Sequence, residues 1–424
     1  MGIVRFGELY AIPSGNGLSR PTAVRGEGYR MIGMGELFAN DIITDMEMDR
    51  VKMSEKEKKN FFVEEGDLLF ARQSLVAAGA GKCSIVKQLI EPTTYESHLI
   101  RVRLDKSKCN PWFYYYLFKL QNNPIKAIIN QCAQAGIRGN ELIRVKVPLV
   151  ELRLQNHMVS ILSAYDSLIE TNNKRIKALE QMAENLYKEW FVRFRFPGHE
   201  TAEFEDSKMG RIPSGFCVRK MQDVISDYIG GGWGNDEEDK DYAVKAYVIR
   251  GTDFPNVKRG NVSSCPLRYH KDSNYKSREL HDLDIILEVS GGTAEQPVGR
   301  TLLVTQDTID RLGGQVICAS FCKQIHLNKD MVSPYFYYYW MQFLYDTRII
   351  DRFQLQSTGI INFQFEYFVR KGEILLPPKK LMEKFDQIII PIYNSISALS
   401  KQNENLIKQR DLLLPRLMSS KLEV

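Results

Sequence analysis

A run near residue 320 contains the residue types of a metal site. Cys318, Cys322 and His326 follow one another at every fourth position, and thiolate and imidazole groups are common zinc ligands. They lie in the run ICASFCKQIHL, whose composition is typical of a strand. The six histidines show no other ligand spacing. We therefore expect these residues to pack in a core, and we predict no metal site in this chain.

A glycine loop, Gly79-Ala80-Gly81-Lys82-Cys83, resembles the end of a loop that binds nucleotide phosphates. Such a loop requires another glycine five residues before its last one, and a serine or threonine after the lysine. Those positions hold Val76 and Cys83. We therefore expect no nucleotide to bind here.

A third segment, Asn110-Pro111-Trp112-Phe113, resembles the Asn-Pro-Pro-Tyr/Phe motif of DNA amino-methyltransferases. The second proline is missing, and no glycine-rich cofactor motif precedes the segment. Proline suits the first turn of a helix, so we predict that a helix with an aromatic face starts here. No nucleophile motif accompanies it. The residues favour a binding protein over an enzyme, and we predict no cofactor in this chain.

The composition limits the class of protein. The chain has 424 residues, 57 lysines and arginines against 52 acidic residues, and a net charge of +5, which permits nucleic-acid binding without requiring it. The seven cysteines are scattered, which fits a reducing cytoplasm. No run of eighteen apolar residues occurs, so we expect no membrane span.

Two long helices are predicted to position everything else. In residues 151–196 apolar side chains recur at spacings of three and four, and the segment following residue 379 repeats that pattern. About forty helical residues reach roughly 60 Å, longer than a small domain is wide. Two matching apolar faces most simply pack together as a coiled coil. Asn172 and Asn403 interrupt these faces; they either pair in the helix seam or face solvent.

The second half of the chain repeats the first at a distance of about 220 residues. The clearest pair is NPWFYYY at 110–116 and SPYFYYY at 333–339. The fold class we predict is α+β, with two similar mixed α/β domains and two long helices. The predicted boundaries are a first domain at 1–148, a central spacer helix at 149–195, a linker at 196–215, a second domain at 216–378 and a C-terminal spacer helix at 379–424.

The order domain–helix–domain–helix, with LYKEWFVRFRFPG at 186–198 and GRIPSGF at 210–216, resembles the specificity subunit of a type I restriction–modification system over the whole chain. The resemblance implies two target recognition domains, each reading half of a bipartite DNA site, spaced by an antiparallel coiled coil. It also implies two modification (methyltransferase) subunits that use S-adenosylmethionine, and restriction subunits that use ATP and Mg²⁺. The specificity subunit itself would be non-catalytic and cytoplasmic.

Loop residues with amide, hydroxyl, guanidinium or ammonium groups are the candidate base readers, because these groups can pair with base edges in the major groove. The candidates are Arg72, Gln73, Lys82, Arg138, Asn140, Arg300, Gln356, Thr358, Asn362 and Gln364. For each one, a solvated loop residue or a phosphate contact is the alternative.

An aromatic group at the end of the first long helix is the candidate partner interface: Tyr187, Trp190, Phe191 and Phe194. The alternative is that these side chains cap the base of the second domain. Two other functions stay open, a coiled-coil scaffold with duplicated protein-binding domains and an enzyme with a degenerate methyltransferase motif.

Overall fold

The computed structural model describes residues 2–74, 79–131, 135–293, 296–357 and 360–418. The chain forms two compact units, the first from Met1–Leu168 with Leu406–Val424 and the second from Ile169–Asn405. Each unit combines mostly antiparallel sheets with helices, the mixed α/β architecture that the sequence predicts.

The described residues of the first unit form four sheets. Its main sheet has the order β2-β10-β6-β8-β4, with β2 at Tyr10–Asn16, β10 at Leu99–Leu104, β6 at Leu68–Ala71, β8 at Cys83–Val86 and β4 at Ile42–Ile43. A second sheet has the order β5-β3-β9, at Asp49–Val51, Arg25–Ile32 and Thr93–Tyr95. The two smaller sheets are β11-β12-β7, at Asn130–Gln131, Ala135–Gly136 and Gln73–Ser74, and β1-β13, at Gly2–Arg5 and Lys146–Leu149.

The second unit repeats this topology, except that its main sheet, as described, has no counterpart of β4. Its main sheet has the order β17-β24-β20-β22, at Ile225–Gly230, Cys322–Leu327, Ile285–Glu288 and Thr301–Leu303. The others are β19-β18-β23, at Leu267–His270, Val244–Ile249 and Val316–Cys318; β21-β26-β25, at Ser290–Gly292, Ile360–Phe363 and Gln354–Ser357; and β16-β27, at Cys217–Lys220 and Glu373–Leu376. The second unit also has a hairpin, β14 at Phe204–Ser207 with β15 at Gly210–Pro213.

Short helices cover the sheets. In the first unit they are α1 at Met34–Ala39, α2 at Glu55–Phe61, α3 at Pro111–Lys119 and α4 at Gly139–Leu142. In the second unit they are α6 at Met221–Val224, α7 at Phe254–Val257, α8 at Asp272–Lys276, α9 at Gln306–Arg311, α10 at Pro334–Asp346 and α11 at Phe365–Lys371.

The repeated aromatic segments form equivalent helices, α3 and α10. Asn110 and Ser333 cap them, each accepting a hydrogen bond from a backbone N–H of the first turn, and a proline follows each cap. The predicted helix start at Asn110 is confirmed. Most of the aromatic side chains of both helices are buried against the main sheet of their own unit, which forms the core there.

Two long helices supply residues to both units, α5 at Leu152–Tyr187 and α12 at Lys379–Met418. Five residues in π-helical conformation, Lys188–Val192, extend α5. No helix among the described residues is both long and apolar enough to cross a membrane.

The two long helices contact each other within each unit. In the first unit, Arg410 donates a hydrogen bond to Asp166 at 2.7 Å. In the second unit, Asn172 Nδ2 donates to Asn403 Oδ1 at 2.9 Å, and both asparagines are buried. Asn403 Nδ2 in turn donates to Asn173 Oδ1 at 2.9 Å. Asn172 and Asn403 therefore pair in the helix seam and do not face solvent.

Candidate nucleic-acid interface

The small sheet β11-β12-β7 brings distant candidates of the first unit together. Gln73 pairs with Gly136 across β7 and β12, and the N–H of Ile137 donates to the Arg72 carbonyl at 3.0 Å. Arg138 follows directly. Segments more than sixty residues apart in the chain thus form one surface.

This sheet has an inner and an outer face because side chains alternate along a strand. Ile137 is buried in the core with 2% exposure, so Gly136 and Arg138 lie on the opposite, outer face. A Cβ on Gly136 would lie 2.9 Å from the Arg72 carbonyl oxygen and 3.8 Å from Gln73 Cγ. The absence of a side chain at Gly136 thus allows the close approach of the strands. Because Gln73 is paired directly with Gly136, its side chain lies on the same outer face.

Arg138 and Asn140 are both exposed at the start of α4. The Arg138 N–H donates to Glu141 Oε2 at 3.1 Å, while its guanidinium does not cap the helix. These two side chains, with Gln73, give the outer face one cation and two amides. Such groups can pair with guanine and adenine edges respectively.

The second unit builds the same surface from the sheet β21-β26-β25. Ser290 pairs with Asn362, and the N–H of Phe363 donates to the Val289 carbonyl at 2.9 Å. Phe363 is buried with 6% exposure, so Asn362 and Gln364 lie on the outer face. The backbone of Gln356 lies in β25. Thr358 is outside the described residues.

Ser290 is a residue that the sequence did not single out. Its Oγ donates to Asn362 Oδ1 at 2.7 Å. This hydrogen bond fixes which end of the Asn362 amide accepts and which end donates. A serine in a glycine-rich segment carries no signal of this role, because its partner is 72 residues away.

Lys82 and Arg300 occupy equivalent positions. The Lys82 carbonyl accepts a hydrogen bond at 2.9 Å from the N–H of Ala71, the last residue of β6. The Arg300 carbonyl accepts one at 2.9 Å from the N–H of Glu288, the last residue of β20. The amine of Lys82 donates to the Phe38 carbonyl at 2.6 Å and lies 3.4 Å from Asp41.

The Arg300 guanidinium makes two hydrogen bonds to Glu288, at 2.8 and 2.6 Å. The hydrogen bond with Glu288 raises the pKa of Arg300. Both basic groups are therefore held inside their own unit, and their observed role is to anchor the chain beside the outer face.

The aromatic group at the end of α5 lies inside the second unit. Tyr187, Trp190 and Phe191 are at most 7% exposed. Phe191 packs on Phe336 of α10 with ring centroids 4.9 Å apart. Phe194 is half-buried against Phe216 at 5.6 Å. These contacts match the alternative in which the group caps the base of the second domain, because buried rings leave little surface for a partner.

The cysteine run forms strands as the sequence predicted. Cys318 and Cys322 are buried, and burial raises the pKa of Cys318 to about 12. His326 lies in β24, and its Nδ1 is 3.0 Å from Asp284 Oδ1. Among the described residues no cluster of three or more His, Cys, Asp or Glu side chains could hold a metal ion.

Comparison with known proteins agrees with this architecture. Residues 3–181 match the family model of the Type I restriction modification DNA specificity domain. The type I restriction enzyme MjaIX specificity subunit of Methanocaldococcus jannaschii is 25% identical over 324 residues, covering 74% of this chain and 69% of the relative. The first part of the chain thus matches this DNA specificity domain, and most of the chain is similar to a specificity subunit of a type I restriction enzyme.

Two further similarities extend over most of this chain. The putative type I restriction enzyme MjaX specificity subunit of the same organism is 23% identical over 368 residues, which are 85% of this chain and 79% of that one. The crystal structure of the type I restriction-modification S subunit from M. genitalium has a TM-score of 0.51 at 12% identity. It covers 98% of this chain and 95% of its own, which shows a shared fold.

Proposed function

We propose that this chain reads a bipartite target in double-stranded DNA, one half-site with each unit. The observation that carries the proposal is the repeated outer face, made by Gln73 and Arg138 in the first unit and by Asn362 and Gln364 in the second. Each face presents polar side chains on a small sheet whose other side is anchored in a core. Rigid placement of a few polar groups is what reading of base edges requires.

We further propose that α5 and α12 form an antiparallel coiled coil that sets the spacing of the two half-sites. Arg410 with Asp166 and Asn403 with Asn172 are the contacts that support it. A contact in the second unit supports the antiparallel direction: Phe385, near the start of α12, packs on Trp190, beyond the end of α5, with ring centroids 6.1 Å apart.

The proposed partners are double-stranded DNA, two modification subunits and, through them, restriction subunits. S-adenosylmethionine would bind in the modification subunits, and ATP and Mg²⁺ in the restriction subunits. In this assembly the present chain selects the sequence and positions the methyltransferase, and it carries no catalytic step of its own.

The geometry argues against a degenerate methyltransferase site at Asn110. Its side chain accepts from the Trp112 N–H at 2.9 Å, and its Nδ2 donates to Asn156 Oδ1 at 2.8 Å. An amide used as a helix cap in this way is not available to bind the amino group of a base.

Methylome sequencing of the source cell tests the proposed function. We expect one bipartite methylation motif to disappear when the gene is deleted and to return when it is restored. A restored copy lacking residues 216–378 should not recover the motif. An unchanged set of methylated motifs after deletion would contradict the proposal.

A further inference from the structure

The last residue of the outer face differs between the two units although its fold position is the same. Arg138 and Gln364 each follow a buried residue, Ile137 or Phe363. The N–H of that residue donates to the carbonyl of the residue that directly precedes the neighbouring strand. Arg138 and Gln364 also each directly precede a helix, α4 or α11. The two positions are thus equivalent by strand register, by face and by the element that follows.

Among the described residues, neither side chain makes a hydrogen bond that fixes the backbone at this position. The Arg138 guanidinium is exposed, the Gln364 side chain is half-buried, and neither caps the helix that it precedes. Their backbone groups hold the position instead. The Arg138 N–H donates to Glu141, and the Gln364 N–H donates to the Phe353 carbonyl at 2.7 Å. A fixed backbone with an uncommitted side chain suits a contact with a ligand.

The chemistry of the two side chains selects different bases. A guanidinium donates two parallel hydrogen bonds and pairs with O6 and N7 of guanine, whereas a primary amide donates and accepts and pairs with N7 and N6 of adenine. The neighbouring groups support this difference. In the second unit Asn362 adds an oriented amide, while in the first unit the equivalent strand position is Gly136 and leaves room for the longer side chain.

We infer that this equivalent pair of positions distinguishes the two half-sites, with Arg138 selecting a guanine in one and Gln364 selecting an adenine in the other. The inference rests on the proposed function, because it requires each unit to read one half-site. It adds the chemical identity of one base in each half-site and the residue that selects it.

Reciprocal substitution tests the inference in the complete complex. The chromosomal gene is replaced by Arg138→Gln or by Gln364→Arg, and the methylated motif of each strain is sequenced. We expect Arg138→Gln to lose the preference for guanine at one position of one half-site, by about tenfold to a hundredfold for a bidentate contact. Gln364→Arg should lose the preference for adenine at one position of the other half-site.

Arg144→Gln is the matched control, because Arg144 is exposed in the same unit and its loss removes the same charge beyond the end of α4. This control should leave the motif unchanged. If a variant abolishes methylation, the complex purified from that strain is titrated with duplexes that carry each base at each half-site position. Lost discrimination at a single position supports the inference.

Two results from the variants overturn the inference. One is an unchanged motif in both variants, and the other is weaker binding by the same factor for every sequence, which identifies a phosphate contact. A wild-type motif without guanine in one half-site and adenine in the other also overturns it. A wild-type strain with no bipartite motif dependent on this gene would instead refute the proposed function.

Discussion

At the scale of single residues, both units contain an ion pair at the same place in the main sheet, but its cationic residue differs. In the first unit Arg103 makes two hydrogen bonds to the buried carboxylate of Asp67, each at 2.7 Å. In the second unit the equivalent carboxylate, Asp284, pairs with His326. An arginine side chain stays protonated at every physiological pH, whereas the His326 imidazole titrates.

This difference predicts that the Asp284–His326 pair of the second unit loses its stabilising contribution as pH rises, whereas the Arg103–Asp67 pair of the first unit contains no group that titrates near neutral pH. The hydrogen bond to Asp284 raises the pKa of His326, and the Asp227 carboxylate also favours the charged ring, while Lys329 and burial oppose it. Burial opposes ionisation of Asp284, but hydrogen bonds from His326, the His281 N–H and Gln324 lower its pKa. The pair therefore contributes fully between the unfolded pKa values of about 4 and 6.5. Its contribution falls as pH rises through the folded pKa of His326.

Urea unfolding of the full chain at pH 6 and pH 8.5 measures this loss. We expect about 1 kcal/mol or less, because a third of the His326 side chain is exposed. His326→Arg, which copies the first unit, should remove this part of the pH dependence. An equal pH dependence in wild type and variant would show that the pair is not its source.

Residue types alone could predict which side chains are able to read bases. They could not predict which of these side chains are already held in ion pairs within the protein. Lys82 and Arg300 satisfy the same rule as Arg138, yet Asp41 and Glu288 hold them. Neither partner could be inferred, because Asp41 lies about forty residues before Lys82, next to β4, and Glu288 carries no local signal. The buried state of Tyr187 was likewise undecided, since an aromatic cluster is compatible with a core or with an interface.

At the scale of elements, long periodic segments were predictable and short strands were not. The apolar spacing of α5 and α12 extends over many turns, and the Asn-Pro and Ser-Pro starts of α3 and α10 are local signals. Strands β7 and β12 have two residues each, too few for alternation to be visible. The small sheet that gathers the candidate residues therefore emerged only from the structure.

The buried asparagine pair of the long helices gives a prediction at this scale. Asn172→Leu leaves Asn403 Oδ1 without its donor from Asn172 in a buried seam, which should cost about 1 to 3 kcal/mol of unfolding free energy. Asn172→Leu with Asn403→Leu should be close to neutral or stabilising, because both polar groups are then removed. Denaturant unfolding of Asn172→Leu, Asn403→Leu and the double variant completes a double-mutant cycle that measures their coupling energy. Additive effects without coupling would show that the hydrogen bond contributes nothing.

At the scale of the whole molecule, duplication explains why one domain plan could be predicted for both halves. The repeated segments led to two similar domains. Among the described residues the structure shows equivalent strand orders in four pairs of sheets, apart from β4, which has no counterpart in the second unit. The hairpin β14-β15 of the second unit was not predicted, because it lies in the segment 196–215, which we expected to be a linker.

The proposed spacer role of α5 predicts a change in target spacing when that helix is lengthened. Four residues inserted next to Lys177 add about 6 Å at 1.5 Å per residue and nearly preserve the helix face. Since B-DNA rises about 3.4 Å per base pair, the gap between half-sites should grow by about one to two base pairs. A two-residue insertion rotates the face by about 200° and should impair folding or assembly. Methylation by the four-residue variant at the original spacing would mean that the helix does not set the gap.

The most direct test of two independent readers is exchange of one of them. Residues 216–378 are replaced by the matching segment of a relative with a different methylation motif, and the methylome of the resulting strain is sequenced. We predict that one half of the methylated motif takes the relative's sequence while the other half and the activity are retained. Simultaneous change of both halves, or an unchanged motif in an active complex, would contradict the account of one half-site per unit.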